Sequence, residues 1–145
     1  MGHVRTFWKS VLIFFVLLCF CDAIVAQEQL QDLQKSYYSL PLGSKERFVL
    51  TGKYAQALYF SNEKALASQL LNDNIQLARN YPDKQYYAYL NCIAAMNSFN
   101  DHAFEKSRYY LEHAKSVLPI VNDNGIKGYV HYCDGWVMTR QNKED

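Results

Sequence analysis

The chain has 145 residues, half of them apolar or aromatic, with 15 Lys and Arg against 14 Asp and Glu for a formal net charge of +1. That length allows one domain with a real core, and the composition excludes a disordered chain. Acids and bases are interspersed without a basic block, which excludes an electrostatic footprint for nucleic acid or an anionic membrane surface.

The opening stretch MGHVRTFWKSVLIFFVLLCFCDAIVAQ places Arg5 and Lys9 ahead of the apolar run Val11 to Cys21, with small residues at Ala23 and Ala26. This is the layout of a secretory signal peptide, so residues 1–26 are assigned as one, cut before Gln27. The run is shorter than the roughly 20 residues of a comfortable membrane span. The alternative is a membrane anchor over residues 11–25, because Ile24 and Val25 extend the apolar stretch. Bulky Leu18 and Phe20 before Cys19 and Cys21 argue against a lipoprotein cysteine. Either way the chain is expected to be exported, to the periplasm or the extracellular space. Losing Arg5, Lys9 and Asp22 with the leader leaves 13 basic and 13 acidic side chains, a mature net charge of zero.

Residues 27–62 read as a degenerate helical pair that caps the rest of the array. EQLQDLQKSYYSL is closed by Pro41 and Gly43; SKERFVLTGKYAQALYFSN has Ser44 as N-cap and Phe48, Ala55, Leu58 and Tyr59 as core. Gly52 weakens the middle of that second helix. Beyond it, over residues 63–145, four amphipathic helices succeed one another at the 3.6-residue period, with no strand-like alternation. The first carries Ala67, Leu70, Leu71, Asn74, Leu77, Ala78 and Tyr81 on one stripe and stops at Pro82. The second, with Asp83 as N-cap, carries Tyr86, Tyr89, Leu90, Ile93, Met96 and Asn97. The third, with Asp101 as cap, carries Phe104, Ser107, Tyr110, Leu111, Ala114 and Leu118 and ends at Pro119. The fourth carries Ile126, Tyr129, Val130, Cys133, Trp136 and Val137.

Slid against itself by 40 residues, the sequence places Ala67 on Ser107, Leu71 on Leu111, Asp83 on Asp123, Tyr89 on Tyr129, Leu90 on Val130 and Met96 on Trp136. Small falls on small and large on large, the signature of a repeat array. Gln141 to Asp145 then falls opposite Asp101 to Glu105, so the last repeat is read as incomplete. FEKSRYYLEHAKSVLP resembles the second helix of a tetratricopeptide repeat (TPR): aromatic, small, bulky, Ala and Pro are met by Phe104, Ser107, Leu111, Ala114 and Pro119. Ser107 stands where Ala is usual, and Asn74 stands where Ala is expected one repeat earlier. The resemblance implies an all-α, right-handed solenoid of helical hairpins with a period of about 40 residues, similar to exported repeat regions of bacterial signalling proteins. Ala67, Leu71, Phe104, Ser107, Leu111, Ala114, Pro119 and Trp136 are its repeat-packing positions.

Catalytic chemistry is thin in this sequence. His102, His113 and His131 are scattered, without the three- or four-residue spacing that places two ligands on one helical face. His131 and Cys133 point about 200° apart on a helix. GIKG lacks the preceding strand of a nucleotide loop, and Glu105 and Glu112 read as a solvated face. Cys92 and Cys133 read as buried small apolar side chains rather than a bridge, although export permits one. No cofactor, metal or catalytic residue is assigned.

All 12 tyrosines lie after the leader. Because the first helix of each hairpin lines the concave face in the repeat class this chain resembles, Tyr87, Asn91, Asn97, Lys127, His131 and Asp134 are the candidate recognition surface, with packing as the competing role for the rings. The expected function is a non-enzymatic module that binds a protein or peptide, as the sensory or scaffold part of an exported bacterial signalling protein. The alternative is a stand-alone adaptor that hides Tyr129, Val130, Trp136 and Val137 by forming a homodimer or docking on a partner.

Overall fold

The computed structural model describes residues 27–141, and every regular element within them is helical. Six helices run in chain order: α1 (27–39), α2 (Lys45–Phe60), α3 (Lys64–Asn80), α4 (Gln85–Asn100), α5 (Phe104–Ser116) and α6 (Asn124–Gln141), with a 3-10 turn at Leu118–Ile120. The all-helical class and the six helices agree with the sequence reading. The assigned leader, and Asn142 to Asp145 where the repeat expects a new helix, lie outside the described residues.

The helix starts are set by local chemistry. The Ser44 hydroxyl accepts from the Arg47 amide at 3.2 Å and satisfies one of the free donors at the start of α2. Asp83 accepts from the Gln85 amide at 3.2 Å, and Asp123, forty residues on, accepts from the Ile126 amide at 3.0 Å. Asp101 is a correction. It is the C-cap of α4 rather than a cap of α5, which begins after Ala103 with no side-chain cap.

The reason lies in the turn. His102 takes a left-handed φ of 57°, its amide bonds the Phe99 carbonyl, and the Ala103 amide bonds the Ser98 carbonyl. These two bonds are a Schellman closure, which uses up the residues where a capping Asp would sit. The α2–α3 turn repeats it forty residues earlier: Asn62 has φ 66°, and the Asn62 and Glu63 amides bond the Tyr59 and Leu58 carbonyls. At the other hairpin ends proline acts. Tyr81 is extended before Pro82, as a residue preceding proline prefers, and α3 has stopped. Pro119 sits exposed in the 3-10 turn, so it terminates α5 without packing, which corrects its place among the packing positions.

Helix α4 packs against α2, α3, α5 and α6. Ten of its 16 residues are buried, so its expected stripe is a second correction. Leu90 and Ile93 are buried as expected, but Tyr86, Tyr89, Met96 and Asn97 are half-buried, whereas Ala88, Asn91, Cys92, Ala94 and Ala95 are enclosed. A helix apolar all round has no single face for a 3.6-residue period to reveal. On α2 the buried positions are Phe48, Thr51, Gly52, Tyr54, Ala55, Leu58 and Tyr59, and each position forty residues later on α4 is also buried.

Gly52 has a packing role that propensity alone does not reveal. A β-carbon there would lie 2.3 Å from the Tyr89 hydroxyl and 2.5 Å from its ring. Tyr89 in turn packs on Tyr129 at 6.1 Å between centroids, so the ring is held from the far side. Gly52→Ala therefore sets about 1 kcal/mol of helix propensity gained against about 1–3 kcal/mol of overpacking. We expect a net loss of stability, read as a lower urea midpoint, with the loss shrinking when Tyr89→Leu is combined with it; additive effects would refute the contact.

The small position of α5 makes the opposite case. Ser107 is fully enclosed, matching Ala67 on α3, and its hydroxyl finds no hydrogen-bond partner. An unsatisfied buried hydroxyl costs about 1–3 kcal/mol. Ser107→Ala is expected to stabilise the fold by about 1 kcal/mol, visible as a raised thermal midpoint, and a drop would mean that the hydroxyl is bonded in solution.

Candidate interaction surfaces

The six residues expected to line one recognition face do not form one. Tyr87 is buried with its hydroxyl 3.0 Å from Nδ1 of His113 on α5, and the two rings meet edge to face. Burial raises the Tyr87 hydroxyl above its ordinary value, so it stays protonated at neutral pH. Asn91 is enclosed, and its amide nitrogen donates to the Tyr87 carbonyl at 2.8 Å. Asp134 on α6 pairs with Lys115 of α5 at 3.5 Å. Tyr87, Asn91 and Asp134 thus serve contacts within and between helices, while His131 is exposed, Lys127 is half-buried and Asn97 lies in a separate cleft. The side of α4 read as open is closed by α5.

The packing residues fare better. Ala67, Leu71, Ser107, Leu111 and Ala114 are buried. Phe104 and Trp136 are half-buried and meet on Phe99, at 5.2 and 4.7 Å between ring centroids. The face expected to need a partner is also different. Val130 and Val137 are buried and Tyr129 and Trp136 half-buried, because α4 covers them. The open stripe of α6 carries His131, Tyr132, Gly135 and Met138 instead, with Tyr132 60% and Met138 55% exposed. The corresponding α4 positions, Asn91, Cys92, Ala95 and Ser98, are all buried.

Two concavities bear on function. The first is a cleft of about 40 Å³ edged by Tyr59, Lys64, Asn97, Asp101, Lys106 and Tyr110. That volume holds water and little more. Four of its polar groups are already engaged: Tyr59 donates to Asp101 at 2.8 Å, the Lys64 ammonium pairs with the same carboxylate and lies 4.9 Å from the Tyr59 ring, and Tyr110 donates to Asn72 at 2.7 Å. The second is a shallow groove of about 500 Å³ along α2, lined by Leu40, Val49, Leu50 and Tyr86 with Lys45, Glu46 and Lys53 at its rim. An apolar floor with a charged rim suits an extended or helical peptide.

Among the described residues no three His, Cys, Asp or Glu side chains gather as metal ligands would, and no helix is long and apolar enough to cross a membrane. No protein-family model matches the chain, and no curated protein or solved structure resembles it significantly.

The Tyr59–Asp101–Lys64 cluster escaped the sequence reading because its members lie 37 and 42 residues apart, outside any local spacing. Burial resists ionisation of Asp101, but hydrogen bonds from Lys64 and Tyr59 outweigh it and hold the carboxyl below its ordinary value. Because the folded carboxyl is the more acidic, its contribution is complete above about pH 4 and is lost as pH falls through the lowered folded value. Asp101→Asn should lower the thermal midpoint at neutral pH and flatten its decline in acid; parallel wild-type and variant curves below about pH 4 would refute the ionic role.

Proposed function

We propose that this chain is a non-enzymatic binding module, a solenoid of tetratricopeptide-like helical hairpins that holds a peptide or protein partner in the groove along α2. The observation that carries the reading is the forty-residue recurrence of burial from α2 to α4 and of the closing turn from the end of α2 to the end of α4. Each hairpin buries only part of its surface by itself, and stacking supplies the rest, which is how repeat arrays build extended binding faces. The basic, apolar and small segments of residues 1–26 support export, and with it the role of an extracytoplasmic sensory or scaffold region.

The groove sets the chemistry of the partner. Leu40, Val49, Leu50 and Tyr86 accept a large apolar side chain, and Lys53 favours an acidic neighbour beside it, Lys45 being paired with Glu46. Val49 is 42% exposed, so it can be changed without opening the core. Selection from a random peptide library on the purified chain should enrich sequences with an apolar anchor flanked by Asp or Glu. Val49→Glu should weaken the selected peptide at least about tenfold, roughly 1.4 kcal/mol, while leaving the thermal midpoint unchanged. Enrichment indifferent to that change, or no enrichment at all, would overturn the reading.

A further inference from the structure

Cys92 and Cys133 are both fully enclosed, one at the centre of α4 and one at the centre of α6. The two helices are pinned in register on either side of the cysteines. Towards the helix starts Tyr89 meets Tyr129 at 6.1 Å, and towards the ends Phe99 meets Trp136 at 4.7 Å between centroids. Between these aromatic contacts both thiols are enclosed where α4 packs on α6, and each influences the ionisation of the other. Their separation of 41 residues is one repeat plus one, which sets them one position apart along equivalent helices of successive hairpins.

We propose that Cys92 and Cys133 are a disulfide-forming pair that locks α6 onto α4. A disulfide needs Cβ atoms about 4 Å apart, so its formation is the direct measure of how closely the two enclosed side chains approach across the α4–α6 interface. The oxidant is a low-molecular-weight disulfide. One of the two cysteines, as its thiolate, attacks one of the oxidant's sulfurs and expels one thiolate; the other cysteine then gives up its proton, attacks the protein sulfur of the mixed disulfide and expels the second. Two protein S–H bonds are lost and one S–S bond is formed, while the small disulfide is reduced to two thiols.

Hydrogen bonding to Cys133, and then burial, raises the Cys92 thiol, whereas the bonds from Cys92 and Tyr129 lower Cys133 against the opposing effect of burial. Because both sulfurs are enclosed, exchange takes place as α6 docks, during folding or a local opening of that helix. The bond then ties equivalent points of two hairpins together.

The reduced full chain, refolded in a mixture of reduced and oxidised glutathione and then alkylated and digested with trypsin, tests the pair directly. The expected product is the tryptic segment 85–106 joined to segment 128–140 with the loss of two hydrogens, a species separate from any that carries Cys19 or Cys21. It should be at least about tenfold more abundant after refolding than in denaturant, since the fold supplies the effective concentration. The oxidised chain should melt at least about 5 °C above the reduced one, and dithiothreitol should abolish the difference. Recovery of Cys92 and Cys133 as alkylated thiols or as separate glutathione adducts overturns the proposal, as does an equal yield of the joined segments in denaturant. No variant is needed, so a misfolded substitution does not confuse the outcome.

Discussion

The structure depends on the enclosure of α4 by four other helices. Helices approach to within 8–10 Å only where side chains at the contact are small enough. Ala88, Ala94 and Ala95 supply that on α4, and Gly52 supplies it on α2 where the Tyr89 ring lies. Enclosure on every side also demands that polar groups find partners inside. The backbone does so through its own helical bonds, and the enclosed Asn91 amide donates back to the carbonyl of Tyr87. Without that bond the amide would carry the desolvation cost of a buried donor, of order 1–3 kcal/mol.

Tyrosine then joins helices that the chain does not place next to each other. Tyr59 of α2 reaches Asp101 after α4, Tyr110 of α5 reaches Asn72 of α3, and Tyr37 of α1 accepts from Asn74 of α3 at 2.8 Å. In each case a ring fills space between helices while its hydroxyl satisfies a polar group at the edge of the core. Packing accounts for these tyrosines, whereas Tyr38, Tyr109 and Tyr132 are exposed. It also explains why Tyr87, bonded to His113, does not face outward for recognition.

How far the sequence disclosed this fold depended on how each helix is buried. On α3 and α5 one side faces the other helices and the other water, so the apolar period located Ala67, Leu71, Leu111 and Ala114 correctly. On α4 the period carried almost no directional information, because neighbours lie on most sides, and the expected face and the true contacts diverged there. Local chemistry was legible where it is truly local: Ser44, Asp83 and Asp123 bond amides two or three residues away. Asp101 failed that logic because the left-handed residue His102 closes α4 first and frees the carboxylate for Lys64 and Tyr59. The groove along α2 was illegible in the sequence because Leu40, Val49 and Tyr86 come from three segments that meet only when α2 packs on α4.

Stability is graded among the six helices because each draws on its immediate neighbours. Opening α4 exposes the contacts of α2, α3, α5 and α6 together, so no part of the interior opens through α4 without the rest. Helix α6 is different: Val130, Cys133 and Val137 are buried on one side while His131, Tyr132 and Met138 face outward. It can separate by giving up its contacts with α4 and α5 alone, a lower free energy than global unfolding. The groove along α2 therefore rests on the cooperative centre of the molecule, and the paired cysteines lie at the one interface where local opening and chemical locking compete.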